Sequence, residues 1–168
     1  EINKRMEITV PAKEMGAHEE CGVIGIIGKK KQDVAREIYF GLFALQHRGQ
    51  ESAGIAVAYD GNKDAYYKNM GLVNEVFTPE ILGNMHGDIG IGHTRYSTAG
   101  SSTRENAQPL VLNYVKGTLG VAHNGNLINA PELRHELEYS GAIFQTTIDS
   151  EVIAYHIARE RVKSATVE

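Results

Sequence analysis

Short apolar runs punctuated by glycine set the strongest limit on what this chain can build. Val23, Ile24, Ile26 and Ile27 alternate with Gly22, Gly25 and Gly28, and comparable runs recur at 55–59, 89–93, 110–115 and 118–123. Several are rich in β-branched residues, and all read as strands. Between the first two runs, Val34, Ile38, Leu42 and Leu45 fall at helical spacing, with Gly49 as a stop just after His47 and Arg48. Asn129, with Glu132 three residues later, reads as a capping box for a helix that Gly141 closes. A last helix begins at Asp149 and is expected to turn Val152, Ile153, His156 and Ile157 inward. Strands followed by a helix pair, without βαβ alternation, predict an α+β fold with antiparallel sheets.

Residues 1–20 stand apart from this pattern. They show neither period, contain Pro11 and mixed charge, and end in Glu19 and Glu20 directly before Cys21, so they read as a leader. The remainder, 21–168, is expected to form one domain: 42% hydrophobic and 23% charged residues suit a single globular core. Seventeen basic against twenty-one acidic residues give a net charge of -4, which supplies no basic surface for nucleic-acid phosphates. Local arginines can still hold a small anionic or zwitterionic ligand. No apolar run approaches the roughly 20 residues of a membrane span, and the leader lacks a secretory apolar core. A cytoplasmic location without a membrane partner is expected. Cys21 is the only cysteine, which excludes an internal disulfide and a cysteine-built metal or iron-sulfur site in this chain. The seven histidines are scattered without metal-site spacing, so no metal site is predicted.

Polar clusters lie at the ends of the predicted elements, where sites are usually built. A lone cysteine beside an apolar strand can be an inert small hydrophobe. Cys21, however, begins the first structured segment, and cleavage after Glu20 would make it N-terminal. Its α-amine, with an ordinary pKa of about 7.7 to 8.0, would then serve as base for its own thiol. Arg95, two residues past His93, either pins a polar loop or grips a carboxylate with its two-pronged guanidinium, Thr98 adding a hydroxyl donor. Asn124-Gly125 reads as a hairpin turn or as an oxyanion hole, in which the side-chain amide and the glycine N–H face an oxygen that turns negative. Asp149 is well explained as a helix N-cap, and a carboxylate there can also receive a substrate ammonium group.

Together CGVIGI, LQHRGQESAGIAV, GHTRYSTAG, NAQPL, AHNGNL and TTIDSE, in this order between Cys21 and about Ile157, resemble the glutaminase domain of the amidophosphoribosyltransferase family. Each motif is weak alone, and their order across nearly the whole folded stretch makes the resemblance specific. It implies a four-layer αββα sandwich of the N-terminal-nucleophile hydrolase kind. It also implies glutamine hydrolysis by Cys21, with Asn124 and Gly125 as oxyanion hole, Arg95 and Thr98 on the substrate α-carboxylate and Asp149 on its α-amine. Arg48 falls in the motif lining the site, and the stretch from Arg95 to about Asn106 matches a loop that closes over bound substrate.

Further expectations follow from the resemblance. The chain ends after a helix where the family continues with more strands and a phosphoribosyltransferase domain, so 21–168 reads as an incomplete glutaminase domain. The released ammonia would serve to convert phosphoribosyl pyrophosphate to phosphoribosylamine. No cofactor is expected in this chain, whereas Mg2+ and an iron-sulfur cluster are expected in the part it lacks. A homo-oligomer is expected. Ile148 departs from the family, which more often has a small polar residue before the aspartate. The competing reading is an unprocessed, catalytically silent module that binds glutamine or a partner subunit.

Overall fold

The computed structural model describes residues 21–59, 64–96 and 102–164; the predicted leader lies outside them. Strand β1 (Gly22–Ile27) is followed by helix α1 (Ala35–Ala44), a 3-10 turn (Gln46–Arg48) and strand β2 (Ser52–Ala58). Next come β3 (Ala65–Met70), the short helices α2 (Val73–Val76) and α3 (Pro79–Gly83), and β4 (Ile89–Arg95). After β5 (Leu110–Tyr114) and β6 (Gly117–Val121) the helices α4 (Ala130–Tyr139) and α5 (Asp149–Lys163) close the fold.

Every pairing among the described strands is antiparallel, in a four-stranded sheet of order β1-β4-β2-β3 and a β5–β6 hairpin. The expected α+β class with antiparallel sheets is therefore the one found. Gly22 lies opposite Thr94, and Ser52 opposite Arg95. That register sets the start of β1, the start of β2 and the end of β4 side by side.

Helix α1 crosses one face of the four-stranded sheet. Val34, Ile38 and Leu42, at the predicted spacing, meet Ala53, Ile55 and Val57 on alternate positions of β2, all no more than 2% exposed. Each fully buried Ile or Leu stabilises the fold by about 1.5–3 kcal/mol. The close approach depends on Gly92, where a Cβ would stand 2.5 Å from Ile38 Cγ2 and 2.9 Å from Leu42 Cδ1. Ile91 turns to the opposite face, and a Cβ on Gly120 of β6 would lie 3.3 Å from its Cδ1. The hairpin thus sits on the side of the sheet away from α1, α5 packs against the hairpin, and α4 packs against α5.

The last two helices begin where expected but are capped and buried differently. Asn129 precedes α4, yet its side chain makes no capping bond, so the predicted capping box is not formed. The N-cap of α5 is Ile148, whose side chain has no oxygen to offer; Asp149 is the first helical residue and its carboxylate is engaged elsewhere. On α5 the buried residues are Ser150, Glu151, Val152 and Ala154, whereas Ile153, His156 and Ile157 are half-buried. Glu151 turns inward because three donors meet it: the N–H groups of Gln145 (2.8 Å) and Thr146 (2.7 Å) and the Thr146 hydroxyl (2.6 Å). A buried carboxylate so supplied satisfies its hydrogen-bonding capacity.

Candidate active site

Cys21 is half-buried immediately before β1, and its position follows from the sheet register. Its Sγ lies 3.4 Å from both the backbone N and the carbonyl oxygen of Tyr96, just past the end of β4. The Cys21 carbonyl accepts from Arg48 Nε at 3.5 Å and from the Asn124 side-chain amide. Arg48 reaches it from the 3-10 turn, which presses on β4: a Cβ on Gly49 would fall 2.6 Å from the Thr94 carbonyl carbon. Gln46 ties the same turn to α2, its Oε1 accepting from Val73 N–H at 2.5 Å.

Arg95 ends β4 and is only 3% exposed. Its guanidinium stands 3.5 Å from the Glu51 carboxylate. Asn124 and Gly125 lie in the link from β6 to α4 rather than in a hairpin turn; the hairpin turn is at Val115 and Lys116. Gly125 has φ +154°, and a Cβ there would be 3.2 Å from His123 Nε2. Asp149 accepts from Leu127 N–H at 2.6 Å through Oδ2, while Oδ1 lies 3.8 Å from His123 Nδ1. That contact with the Leu127 backbone holds a carboxylate that the sequence offered both as a cap and as a partner for a substrate ammonium group.

Cys21, Arg95, Asn124, Gly125 and Asp149 all line one cavity of about 780 Å³. Ile148, 6% exposed, forms part of its wall. Arg48 is placed on the Cys21 carbonyl and is not part of that wall among the described residues. Thr98 lies outside the described residues. The cavity therefore offers a thiol, a fixed cation, a fixed anion and an exposed amide. Such a set can receive a zwitterion at its two charged groups and present a third group to sulfur.

Behind the cavity His93 is fully buried. Burial pushes its pKa down to about 4, opposed by the His123 backbone and reinforced by the charge of Arg95. The imidazole beneath the site is thus neutral at pH 7. Among the described residues no group of His, Cys, Asp and Glu side chains is placed to hold a metal ion.

Sequence reasoning missed Glu51, Gln108 and His123, which flank or line the cavity. Gln108 Oε1 accepts from His123 N–H at 2.7 Å, and its Nε2 donates to the His123 carbonyl at 3.2 Å. Nothing in local pattern announces such a contact between positions fifteen residues apart.

Residues 93–168 match the glutamine amidotransferase domain model. The chain is 54% identical over 145 residues to the amidophosphoribosyltransferase of Methanocaldococcus jannaschii, covering 86% of this chain and 31% of that protein. It is 49% identical over 149 residues to the amidophosphoribosyltransferase of Bacillus subtilis, covering 88% and 31%. Among solved structures, it is similar to glutamine phosphoribosylpyrophosphate amidotransferase from B. subtilis complexed with ADP and GMP. That match has a TM-score of 0.72 and 44% identity, over 87% of this chain and 30% of the other. The chain spans about a third of the length of the curated relatives it matches. These homologues are glutamine amidotransferase enzymes. The chain thus matches a glutamine amidotransferase domain over residues 93–168 and is similar along most of its length to the corresponding third of the amidophosphoribosyltransferases.

Proposed function

We propose that this chain hydrolyses glutamine to glutamate and ammonia through a thioester on Cys21, once removal of residues 1–20 frees the Cys21 amine. The observation that carries this reading is the single cavity into which Cys21, Arg95, Asn124, Gly125 and Asp149 all open. Arg95 takes the α-carboxylate with Thr98 adding its hydroxyl, and Asp149 takes the α-ammonium, so the side-chain carboxamide faces sulfur. Arg48 serves the substrate side indirectly, through the Cys21 carbonyl that it holds.

The freed amine accepts the thiol proton, and the thiolate adds to the carboxamide carbon. Negative charge moves to the carboxamide oxygen, which Asn124 and the Gly125 N–H stabilise; one such donor is worth about 10²–10³ in kcat. The protonated amine gives its proton to the departing nitrogen, ammonia leaves, and a thioester remains. Water then adds, its proton passing to the amine, and glutamate departs as the thiolate is restored. The Asn124 amide bonds the Cys21 carbonyl in this state, so it stands one residue's backbone away from the thiol.

In the full-length protein the ammonia converts phosphoribosyl pyrophosphate to phosphoribosylamine, the opening of purine biosynthesis. Residues 21–168 are then part of a four-layer αββα sandwich, for which the outer placement of α1 and α5 argues. The phosphoribosyltransferase domain lies elsewhere in that protein, which we take to be a cytoplasmic homo-oligomer. No described helix is long and apolar enough to cross a membrane. One cysteine does not fit an iron-sulfur cluster, and we assign that cluster and Mg2+ to other parts of the protein. No step here depends on them.

Mass spectrometry of the protein from its native host is expected to show a mature form beginning at Cys21 that releases ammonia from glutamine. Cys21→Ala is expected to abolish release while sparing glutamine binding. Unchanged release would overturn the assignment. A chain retaining residue 20 and inert to a glutamine-analogue electrophile would favour the silent module instead.

A further inference from the structure

We infer that Gln108 is a positioning residue for Asn124 and Gly125, a role that rests on the glutaminase reading above. Its side chain takes both backbone groups of His123, as given above, and the residue is 6% exposed. A primary amide that meets one residue's N–H and C=O together imitates a neighbouring strand and fixes the direction of that backbone. The register explains why it is needed here. The β5–β6 ladder ends at Leu110 opposite Val121, and two further steps along each strand would set position 108 opposite position 123. Among the described residues no backbone pair of the hairpin lies beyond Leu110 and Val121. The Gln108 side chain continues the ladder in place of backbone.

Gln108 is itself seated on the other half of the site. Its carbonyl oxygen lies so close to β2 that a Cβ on Gly54 would be 2.1 Å away. Strand β2 holds Ser52 opposite Arg95, so Gln108 spans from the sheet bearing Cys21 and Arg95 to the segment bearing Asn124 and Gly125. The His123 ring then stands 3.3 Å from Ser150 Oγ and 3.8 Å from the Asp149 carboxylate. Asn106 makes a parallel clamp on the loop before Asp149: Oδ1 accepts from Thr147 N–H at 3.0 Å, and Nδ2 donates to Thr147 Oγ1 at 2.8 Å. Because Asp149 begins α5 and the loop before it is clamped by Asn106, loss of the Gln108 clamp displaces the oxyanion groups more than the substrate's charged anchors.

The test uses the native full-length protein. Gln108→Met keeps length and removes both bonds. Gln108→Glu keeps an acceptor for His123 N–H but sets an oxygen against the His123 carbonyl. In each, kcat for glutamine hydrolysis is expected to fall about 10–100-fold, while KM for glutamine stays within about threefold. Alkylation of Cys21 by iodoacetamide, which needs no oxyanion hole, is expected to stay within about twofold of the wild type. Should Gln108→Met fail to fold, Gln108→Glu decides. A folded variant with kcat within about twofold of wild type overturns the inference, as does a kcat loss matched by an equal loss of alkylation. A wild type that releases no ammonia overturns the glutaminase reading and the inference with it. An active wild type whose His123 amide exchanges without protection overturns the inference alone.

Discussion

A guanidinium presents two parallel N–H bonds to a carboxylate, and an ammonium cannot reproduce that fork. Because Arg95 is buried and held beside Glu51, it is fixed before a substrate arrives. Arg95→Lys is therefore expected to raise the KM for glutamine by roughly 10–100-fold, with a smaller effect on kcat, as read from initial rates over a glutamine series. An unaltered KM would count against the carboxylate role. His93 gives a second expectation. Its folded pKa of about 4 lies below the ordinary 6.5, so between those values the unfolded chain binds the additional proton. Stability is then fully present above pH 6.5 and declines as pH falls towards 4, by about 2–3 kcal/mol from this residue. Urea midpoints at pH 7 and pH 4.5 should separate less in His93→Gln than in the wild type. An identical separation would show that His93 is not held neutral by the fold. Cys21, Arg95, Asn124 and Asp149 could be placed at element ends from sequence, and the ordered motifs around them singled them out. The contacts of Gln108 and Glu151 could not be read there, because their partners lie on other loops, and a glutamate in a helix's first turn ordinarily faces water.

Hydrophobic period revealed β1, α1, β4, β5 and β6 because each sets an apolar residue against a buried face. It did not reveal β3, whose AYYKNM mixes polar and aromatic side chains at a sheet edge and buries none fully. Nor did it reveal α2 and α3, four and five residues long, too short to complete two turns of any period. The position of α4 was evident in Asn129 and Gly141, but the predicted cap chemistry was absent because the same residue types also serve turns. Glycines inside strands carried a meaning that period alone does not give, namely where another backbone comes close. Gly54→Ala should force the Gln108 carbonyl away from β2, at a cost of about 1–3 kcal/mol and a Tm lower by roughly 2–10 °C. Glutamine turnover should fall with it, since the clamp on His123 moves too. Gly83, which has nothing within 4 Å of its would-be Cβ, is the control: Gly83→Ala should leave Tm unchanged or slightly raised. Equal effects of the two changes in a thermal melt would refute the close-approach argument.

The two sheets divide the labour of the site, and that division also leaves one side of the molecule open. The four-stranded sheet brings Cys21 and Arg95 together through register, whereas the hairpin and α5 bring Asn124, Gly125 and Asp149. The face of the four-stranded sheet away from α1 is covered by the hairpin only in part. On that face Val23 and Ile27 of β1, and Ile89 opposite Ile27, remain 44%, 82% and 44% exposed. Among the described strands β1 is also the last of its sheet, with one edge unpaired. An exposed, apolar edge strand is a template for pairing with another chain. The 168-residue chain by itself is therefore expected to associate as its concentration rises, seen as growing apparent mass in light scattering. Ile27→Lys places a charge on that edge without touching the cavity, so it should hold the chain at lower mass, and in the form beginning at Cys21 it should leave glutamine turnover per chain unchanged. Association unchanged by Ile27→Lys would locate the contact elsewhere. The aromatic outer face of α1, where Phe40 and Phe43 are 66% and 53% exposed, is then the next surface to alter, because both rings gather on Tyr39 into one apolar patch.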